Sequence, residues 1–480
     1  MPTAAALLIA SCQSLASLAL PHGTITSAQI ADRYDQTSLP QFCRVAATLT
    51  PSSDSNIKIE VWLPMSGWNG KFQAVGNGGW SGAIGYAAMQ QALRRGYATS
   101  STDTGHEGSR GDFVLGHPEK LIDFGYRSEH EMTIAAKAII SAFYDQAPKY
   151  SYWVGCSAGG RQALKEAQRF PDDYDGIIAG APASDWTGRA ATAMRVRQAV
   201  HKDERSYIPP EKYRLIHDAV LRTCDALDGV TDGLLTDPTR CHFDPGTLQC
   251  KSDDAAAASC LTSPQVEAAR AIYATKVNAK TGREITALQP GSELGWGTWA
   301  GPQMFSIGVD HFRFVVFKNP DWDPMTLNFD KDIVAAEEIE HDTINALDPN
   351  LQPFFNRHGK LIQYHGWNDP QISPGSSVNY YKSVTSALGG ADKVDASYRL
   401  FMVPAMAHCS GGEGPNTFDM LSALERWVEQ HQAPETIIAT HRTPGGEADR
   451  TRPLCPYPQV AAYRGSGSAD AAANFVCKAP

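Results

Sequence analysis

The chain has 480 residues, of which 42 % are apolar and 20 % are charged, and these fractions are typical of a folded globular protein rather than a disordered or fibrous one. The formal net charge is −10, and no long basic run occurs, so the composition argues against binding to nucleic acid or to an acidic membrane surface. Beyond the first few positions, no apolar run is long enough to span a bilayer.

Short β-branched and aromatic runs predict strands in the first and the last third of the chain. Strands are predicted at residues 57–64, 72–75, 97–100, 150–155, 176–180, 361–364 and 398–403, with helices at 131–144 and 160–170. This alternation predicts a mostly parallel α/β sheet with helices on its faces. The strand pattern is absent between about 188 and 358. We therefore expect one catalytic α/β domain, residues 1–188 and 359–480, with a lid domain inserted at 189–358.

Ten cysteines favour an oxidising compartment. A chain this long does not need disulfides to fold, and the cysteines show neither a C-x-x-C pair nor a zinc spacing. Ten reduced cysteines in a cytosolic enzyme are the alternative. Residues 4–10 form a short apolar run but residues 1–3 lack Lys and Arg, so they make an incomplete signal peptide, and residues 9–12 also resemble a lipoprotein cleavage box that would use Cys12. We expect a secreted or periplasmic protein.

Residues 155–159 carry the pattern of a nucleophile elbow. The pentapeptide Gly155-Cys156-Ser157-Ala158-Gly159 matches G-x-S-x-G, an apolar run precedes it and a helix-forming stretch follows it. Small residues are needed around the serine because the turn is sharp and its side chain must point towards the substrate. An ordinary glycine-rich turn is the alternative, but the strand before and the helix after favour Ser157 as a catalytic nucleophile.

Asp369 and His408 are the candidates for the acid and the base that would accompany this serine. An α/β-hydrolase supplies its acid and then its histidine downstream of the serine, in loops that follow strands. Asp369 follows the predicted strand at 361–364, and His408 follows the one at 398–403. A solvated aspartate that caps its own loop is the alternative for Asp369. His365 also follows a strand, but it lies upstream of any suitable acid, so we expect it to have a structural or supporting role.

Two cysteines lie next to these residues. Cys156 immediately precedes Ser157, and Cys409 immediately follows His408. A disulfide between them would hold their Cα atoms about 5.5 Å apart and would bring the serine and the histidine together. We therefore predict a bridge between Cys156 and Cys409 that positions the catalytic residues.

The motifs around these positions resemble those of the tannase and feruloyl esterase family, and the resemblance covers nearly the whole chain. It is carried by GNGGW at 76–80, GCSAGGRQ at 155–162, FRFVVFKNPDWD at 312–323, HGWNDPQISP at 365–374 and MAHCSGG at 406–412. The resemblance implies an α/β-hydrolase fold with a large inserted lid domain. It also implies a catalytic triad of Ser157, Asp369 and His408.

The oxyanion hole needs two backbone N–H donors directed at the developing negative charge. The residue after the nucleophile usually supplies one of them, which here is Ala158. The glycine-rich turn at 76–79 follows a predicted strand at the place where this fold supplies the second donor. We favour Gly79, with Gly78 close behind, and a tight turn without a catalytic role is the alternative.

The sequence DALDGVTDGL at 225–234 places three carboxylates within ten residues. Hard Ca²⁺ prefers such oxygen ligands, but the spacing is not that of an EF-hand, and a solvated acidic turn is equally consistent with the residues alone. Family members carry a structural Ca²⁺ in this loop. The resemblance therefore implies side-chain ligands from Asp225, Asp228 and Asp232 and carbonyl ligands from Val230 and Leu234. No organic cofactor is expected.

The resemblance also leads to a complete set of disulfides. Cys224 and Cys241 flank the calcium loop and are expected to pair. The other expected pairs are Cys250–Cys260, Cys12–Cys43 and Cys455–Cys477.

Aromatic side chains are concentrated in the expected lid, and an apolar slot of this kind suits a planar acyl group. They are Trp296, Trp299, Phe305, Phe312, Phe314, Phe317 and Trp322. For most of them a place in the lid's own core is the simpler interpretation. We expect a serine esterase that acts on small-molecule esters of hydroxycinnamic, gallic or terephthalic-type acids. The alternative is a catalytically silent hydrolase fold that serves as a calcium-stabilised binding module.

Overall fold

The computed structural model describes residues 11–252 and 258–480. The apolar run at 4–10, on which the signal-peptide expectation rests, lies outside the described residues. The chain divides into two units, one formed from 1–179 and 342–361 and the other from 180–341 and 362–480. This division does not test the lid boundaries predicted above, which stay a prediction.

The first unit is built on a mixed β-sheet with the strand order β1-β2-β3-β5-β4-β6-β7. Strands β1, β2, β3 and β5 pair antiparallel in that order, whereas β4 pairs parallel with both β5 and β6. The parallel part was predicted, and the long antiparallel hairpin β1–β2 was not. The bounds are β1 Gly23–Tyr34, β2 Thr37–Leu49, β3 Ile57–Pro64, β4 Lys71–Val75, β5 Ala98–Thr102, β6 Tyr150–Cys156 and β7 Gly176–Gly180.

Helices cover this sheet, and its central strands are buried on both faces. Every residue of β5 and β7 is buried. The helix Ser128–Tyr144 packs on β3 and β5, and its buried residues recur every three to four positions, as expected for a helix with one face on a core. The helices of this unit are Tyr86–Arg94, Pro118–Ile122, Ser128–Tyr144, Ala158–Arg169 and Gln352–Asn356.

The second unit combines a helical part with the last strands of the chain. Between 188 and 358 its described residues carry helices and only two strands, each of two residues, which agrees with the predicted loss of strands there. Strand β10 begins at Lys360 and lies beside β11, and the later strands form two antiparallel hairpins. The strands are β8 Lys276–Val277, β9 Glu284–Ile285, β10 Lys360–Gly366, β11 Tyr398–Val403, β12 Ile437–Arg442, β13 Ala448–Leu454, β14 Val460–Tyr463 and β15 Phe475–Lys478. The helices are Trp186–Val200, Tyr213–Cys224, Ser263–Tyr273, Gly297–Ala300, Ser306–Asp310, Phe329–Glu340, Gly375–Ala387, Ala391–Val394 and Met420–Gln430.

Disulfides link segments of each unit, and four of the five predicted pairs are confirmed. The structure joins Cys12 to Cys43, Cys224 to Cys241, Cys250 to Cys260 and Cys455 to Cys477. All ten cysteines lie in the described part of the chain, and none of them is free there. Neither the alternative of ten reduced cysteines nor the use of Cys12 in a lipoprotein box agrees with this pairing. No helix within 11–252 and 258–480 is long and apolar enough to cross a membrane.

Candidate active site

Ser157 lies in a sharp turn between β6 and the helix Ala158–Arg169, in the first unit. Its backbone has φ 64° and ψ −122°, a conformation that costs a non-glycine residue on the order of 1–3 kcal/mol. A Cβ atom at Gly155 would collide with the carbonyl of Gly159, so only glycine fits there. The structure thus gives the G-x-S-x-G pentapeptide the strand–turn–helix geometry that was predicted for it.

The glycine-rich turn at 76–79 packs directly against this elbow. Gly159 N–H donates to the carbonyl of Asn77 over 2.8 Å, and a Cβ atom at Gly76 would lie 2.5 Å from the Cα of Gly159. Gly79 adopts a positive φ of 54°, and Ala158 is buried at the first position of the helix. Both predicted oxyanion donors therefore lie in segments that contact each other within the first unit. Their catalytic role stays a prediction.

Gln162 holds the same turn in place, which the sequence analysis did not foresee. Its Oε1 accepts the N–H of Asn77 over 3.2 Å, and its Nε2 donates to Oδ1 of Asn77 over 2.9 Å. The two side chains thus form a reciprocal pair between the nucleophile helix and the glycine-rich turn. Gln162 is the last residue of the GCSAGGRQ motif, and its place in that motif is the sequence signal that could have indicated this role.

Asp369 and His408 meet in the second unit. Nδ1 of His408 lies 2.6 Å from Oδ2 of Asp369, and the carboxylate is fully buried. Burial alone would raise the pKa of Asp369, but the charge of His408 and hydrogen bonds with His408 and His365 outweigh it and hold the pKa well below its ordinary value. An ionised Asp369 accepts the Nδ1–H of His408 and leaves Nε2 of that ring to exchange a proton.

Backbone contacts fix the acid and the base relative to each other. Trp367 N–H donates to the carbonyl of Val403 over 2.9 Å, and Asn368 N–H donates to the carbonyl of Met406 over 3.0 Å. Oδ1 of Asp369 accepts the N–H groups of the two residues that end its loop, over 2.8 and 3.0 Å. Hydrogen bonds between the segments that follow β10 and β11 thus fix the contact between Asp369 and His408.

His365 is a second histidine on the same carboxylate. Its Nε2 lies 3.0 Å from Oδ2 of Asp369, and its Nδ1 lies 2.7 Å from the hydroxyl of Ser377. The supporting position expected for His365 is the one observed, whereas Ser377 was not foreseen because it lies in the next helix.

Cys156 and Cys409 are both disulfide-bonded. The bridge between these two cysteines, and its role in holding Ser157 near His408, stay predictions.

The acidic loop forms a set of linked turns in the second unit. The carboxylate of Asp225 accepts the N–H groups of Asp232 and Gly233, and Asp228 accepts from the hydroxyl of Thr236 over 2.6 Å. Burial, and then the charge of Asp232, raise the pKa values of Asp225 and Asp228. Such mutual repulsion between neighbouring carboxylates is what a cation would relieve.

The chemistry of this loop fits Ca²⁺, which prefers carboxylate and carbonyl oxygens. Arg452 already pairs with Asp232 over 2.5 Å and compensates one of the three charges. Across the described residues, no three acidic, His or Cys side chains converge in a way that could hold a metal ion. The ligand set Asp225, Asp228, Val230, Asp232 and Leu234 therefore stays a prediction.

Most of the aromatic side chains expected in the lid belong to its own core. Trp296, Trp299 and Phe312 are almost fully buried in one cluster, and Phe317 and Trp322 pack against that cluster with part of their surface exposed. Arg313 donates from Nε to the carbonyl of Trp322 over 2.9 Å. The simpler interpretation of these aromatic residues thus agrees with the structure.

Comparison with known proteins identifies relatives over almost the full length. The family described as tannase and feruloyl esterase matches residues 43–478. An uncharacterized esterase of Xanthomonas campestris is 38 % identical, covering 98 % of this chain and 91 % of the relative. A probable feruloyl esterase B-1 of Aspergillus fumigatus is 35 % identical, covering 89 % of this chain and 84 % of the relative.

Solved structures of a feruloyl esterase and a tannin acyl hydrolase are also similar to this chain. The crystal structure of feruloyl esterase B from Aspergillus oryzae has a TM-score of 0.93 at 31 % identity and covers 98 % of this chain and 100 % of that chain. Tannin acyl hydrolase from Aspergillus niger has a TM-score of 0.81 at 23 % identity, covering 99 % and 95 %, and supports the fold alone. The predicted α/β-hydrolase fold is confirmed.

Proposed function

The chain belongs to the tannase and feruloyl esterase family and is a carboxylic ester hydrolase, and we propose that it is a secreted or periplasmic serine esterase that cleaves esters of aromatic acids. The observation that carries the serine mechanism is the hydrogen bond between Nδ1 of His408 and the buried carboxylate of Asp369. This bond selects the imidazole tautomer whose Nε2 can accept a proton. The oxidised cysteines support an extracellular or periplasmic location.

In the proposed reaction, Oγ of Ser157 attacks the ester carbonyl carbon while Nε2 of His408 accepts the hydroxyl proton. The N–H groups of Ala158 and Gly79 stabilise the oxygen that becomes negative. The bond to the alcohol then breaks, and the alcohol leaves with the proton held by His408. The product of this half-reaction is an acyl-enzyme on Ser157.

Water completes the cycle. His408 removes a proton from the water molecule, which attacks the acyl carbon and releases the aromatic acid, and the proton returns to Oγ of Ser157. Asp369 remains ionised throughout because its pKa lies well below the ordinary value. It orients the ring of His408 and stabilises its charged form.

A feruloyl ester is the substrate that we favour among the aromatic esters. Two of the relatives described above, at 35 % and 31 % identity, are named as feruloyl esterases, whereas the tannin acyl hydrolase shares 23 % identity. Gallate esters and terephthalate monoesters are the other members of the proposed class.

A structural Ca²⁺ is part of the proposal. The side chains of Asp225, Asp228 and Asp232 and the carbonyls of Val230 and Leu234 would hold it, and the ion would neutralise a loop in which neighbouring carboxylates repel one another. No step of the ester hydrolysis involves this ion.

The experiment compares the parent protein with Ser157→Ala on methyl ferulate, methyl gallate and a terephthalate monoester. We expect the parent to turn over at least one of them and Ser157→Ala to lose that turnover, because the acyl-enzyme cannot form. Ser141→Ala is the matched control, since Ser141 lies in the helix Ser128–Tyr144 and donates only to the carbonyl of Lys137.

An active Ser157→Ala variant would overturn the proposed nucleophile. A folded parent without turnover of any aromatic ester would instead favour the alternative of a calcium-stabilised binding module.

A further inference from the structure

His217 is a buried histidine held between two glutamates, and neither its sequence context nor the proposed mechanism accounts for it. It lies in the helix Tyr213–Cys224 and is 1 % exposed. Its Nδ1 makes a hydrogen bond of 2.8 Å with Oε2 of Glu293, and its Nε2 lies 2.9 Å from Oε2 of Glu413. A neutral imidazole has only one N–H group, so carboxylates close to both nitrogens favour the protonated ring.

Glu413 connects His217 to the loop that carries His408. Met406 and Gly412 form an antiparallel bridge, and Ala407 N–H donates to the carbonyl of Gly411 over 3.0 Å. Residues 406–412 are therefore a small hairpin with His408 near its tip, and Glu413 is the next residue after its returning arm.

The base of this hairpin leaves little room for movement. Gly414 N–H donates to the carbonyl of Ala405 over 3.2 Å, and a Cβ atom at Gly414 would collide with the carbonyl of Pro404. The backbone on both sides of Glu413 is therefore tied to the hairpin.

Glu293 connects His217 to the loop that carries Asp369. It lies in the segment 291–295, where a Cβ atom at Gly291 would be 2.8 Å from Oδ1 of Asn368 and one at Gly295 would be 2.5 Å from Cβ of Pro370. Asn368 and Pro370 are the immediate neighbours of Asp369. The segment that holds Glu293 therefore packs against the residues before and after the proposed acid in the sequence.

The other polar groups around the cluster stabilise its two carboxylates. Oε1 of Glu293 accepts from the hydroxyl of Tyr273 over 2.5 Å and from the N–H of Gly291 over 2.8 Å. Arg214 lies 3.3 Å from Glu413 and 3.8 Å from Asp218. Burial alone would lower the pKa of His217, but its hydrogen bond with Glu293 and its close contact with the Glu413 carboxylate raise it to about 9. The contact with His217 is the main cause that lowers the pKa of Glu413.

We propose that protonated His217 is a positioning residue of the esterase, which ties the hairpin of His408 to the segment packed against the loop of Asp369. The inference rests on the proposed function, because it assigns His217 a role in placing the base relative to the acid. His217, Glu293 and Glu413 make no contact with substrate in this role. Their loss is expected to lower kcat while KM stays nearly the same.

The test uses the full-length protein and the variants Glu413→Gln and His217→Gln, assayed on a chromogenic aromatic ester between pH 6 and 10.5. Glu413→Gln keeps the shape of the side chain and removes its charge. We expect kcat at pH 7 to fall about tenfold with KM changed less than twofold. Asp218→Asn is the control, since Asp218 is adjacent to His217 in the same helix and lies 3.8 Å from Arg214, whose shorter contact with Glu413 of 3.3 Å this variant leaves in place.

The pH profile separates positioning from a general loss of stability. In the parent, kcat should decrease above about pH 9 as His217 loses its proton. In Glu413→Gln this decrease should begin at least one pH unit lower, because one of the carboxylates that hold the proton is gone. A Glu413→Gln variant whose kcat and pH profile equal those of the parent would overturn the inference.

A second measurement does not depend on catalysis. Amide hydrogen exchange at Ala407 and Gly414 should be faster in Glu413→Gln than in the parent and unchanged in Asp218→Asn. If the parent has no esterase activity, the proposed function fails. Equal amide hydrogen exchange rates in Glu413→Gln and the parent would then refute the link between His217 and the hairpin of His408. Because Glu413 is 40 % exposed, this variant stays informative even if His217→Gln fails to fold.

Discussion

The imidazole of His365 contacts the carboxylate of Asp369 directly, with Nε2 lying 3.0 Å from Oδ2. His408 contacts the same oxygen over 2.6 Å, so the proposed acid accepts from two histidines. Both His365 and Asp369 are fully buried, and the hydroxyl of Ser377 holds the far nitrogen of His365. The orientation of the acid therefore depends on a residue that has no direct part in the proposed chemistry.

Replacing His365 should therefore impair the acid. His365→Phe replaces the imidazole by another aromatic ring and removes the N–H donor to Asp369. A hydrogen bond to a charged group is worth about 1.5–3 kcal/mol. We expect kcat to fall about 10- to 100-fold, with KM nearly unchanged. His365→Gln, which retains an N–H donor, should recover part of the loss. Steady-state kinetics of both variants decides, and a His365→Phe variant with the parent kcat would show that His408 alone orients Asp369.

We expect Gln162 to affect kcat because it fixes the glycine-rich turn at 76–79, and not because it acts on Ser157. Gln162→Leu loses both hydrogen bonds to Asn77, so the turn that carries Gly79 is no longer fixed to the nucleophile helix. Loss of one oxyanion donor costs about 100-fold or more in kcat, so a displaced donor should cost up to about 100-fold. The control is Gln91→Leu, at an exposed helix position.

The pattern within the Gln162 series gives the sharper test. Gln162→Glu keeps the acceptor for the N–H of Asn77 and loses the donor, so its kcat should lie between those of the parent and Gln162→Leu. If all three proteins share one kcat, the turn does not need this pair, and the second oxyanion donor lies elsewhere.

The predicted bridge between Cys156 and Cys409 can be tested by its pairing and by its effect. Mass spectrometry of a non-reduced digest should find the peptides of Cys156 and Cys409 joined. Replacing both by Ala should lower kcat by more than the fall in melting temperature would suggest, because Ser157 and His408 are their direct neighbours. Replacing Cys250 and Cys260 is the control, since neither of these cysteines is adjacent in sequence to Ser157 or His408.

Calcium should act on stability and leave the chemistry alone. If the loop at 225–234 binds Ca²⁺ only in the folded state, mass action raises the melting temperature with free Ca²⁺. A chelator should lower the melting temperature while kcat at low temperature stays the same. Asp228→Asn should remove most of the calcium response, whereas Asp244→Asn, outside the loop and paired with Arg270, should keep it. Purified protein that contains no calcium and does not respond to chelation would show that the loop is only a turn.

The sequence predicted the features that depend on neighbouring residues. The elbow at Ser157 was predictable because a sharp turn requires glycine at Gly155 and Gly159, and the structure shows that a Cβ atom at Gly155 would collide with the helix. The hairpin β1–β2 was missed because most residues of β1 are exposed or only half-buried, so its hydrophobic pattern does not alternate clearly.

Contacts between distant side chains were beyond the reach of the sequence pattern. Gln162 and Asn77 are 85 positions apart, and His217 and Glu293 are 76 positions apart. Such pairs are set by how the elements pack, and no local periodicity encodes them. The motif, the order of the residues along the chain and the family resemblance predicted the triad, but none of them predicted the supporting contacts of Gln162 and Ser377.

Substrate preference should follow the region at 189–358 rather than the triad, because the triad lies outside it, whereas Phe317 and Trp322, which are aromatic and partly exposed, lie inside it. The exchange replaces this region by that of the Aspergillus niger tannin acyl hydrolase but keeps residue His217 and the segment 291–295. These are retained because the segment packs against the neighbours of Asp369, so their loss would confound preference with activity. Hydrophobic pockets discriminate by about 1–3 kcal/mol per methylene-sized change, so the ratio of kcat/KM for methyl ferulate and methyl gallate should shift by at least tenfold towards gallate. An active chimera that keeps the parent ratio would place the recognition residues outside 189–358.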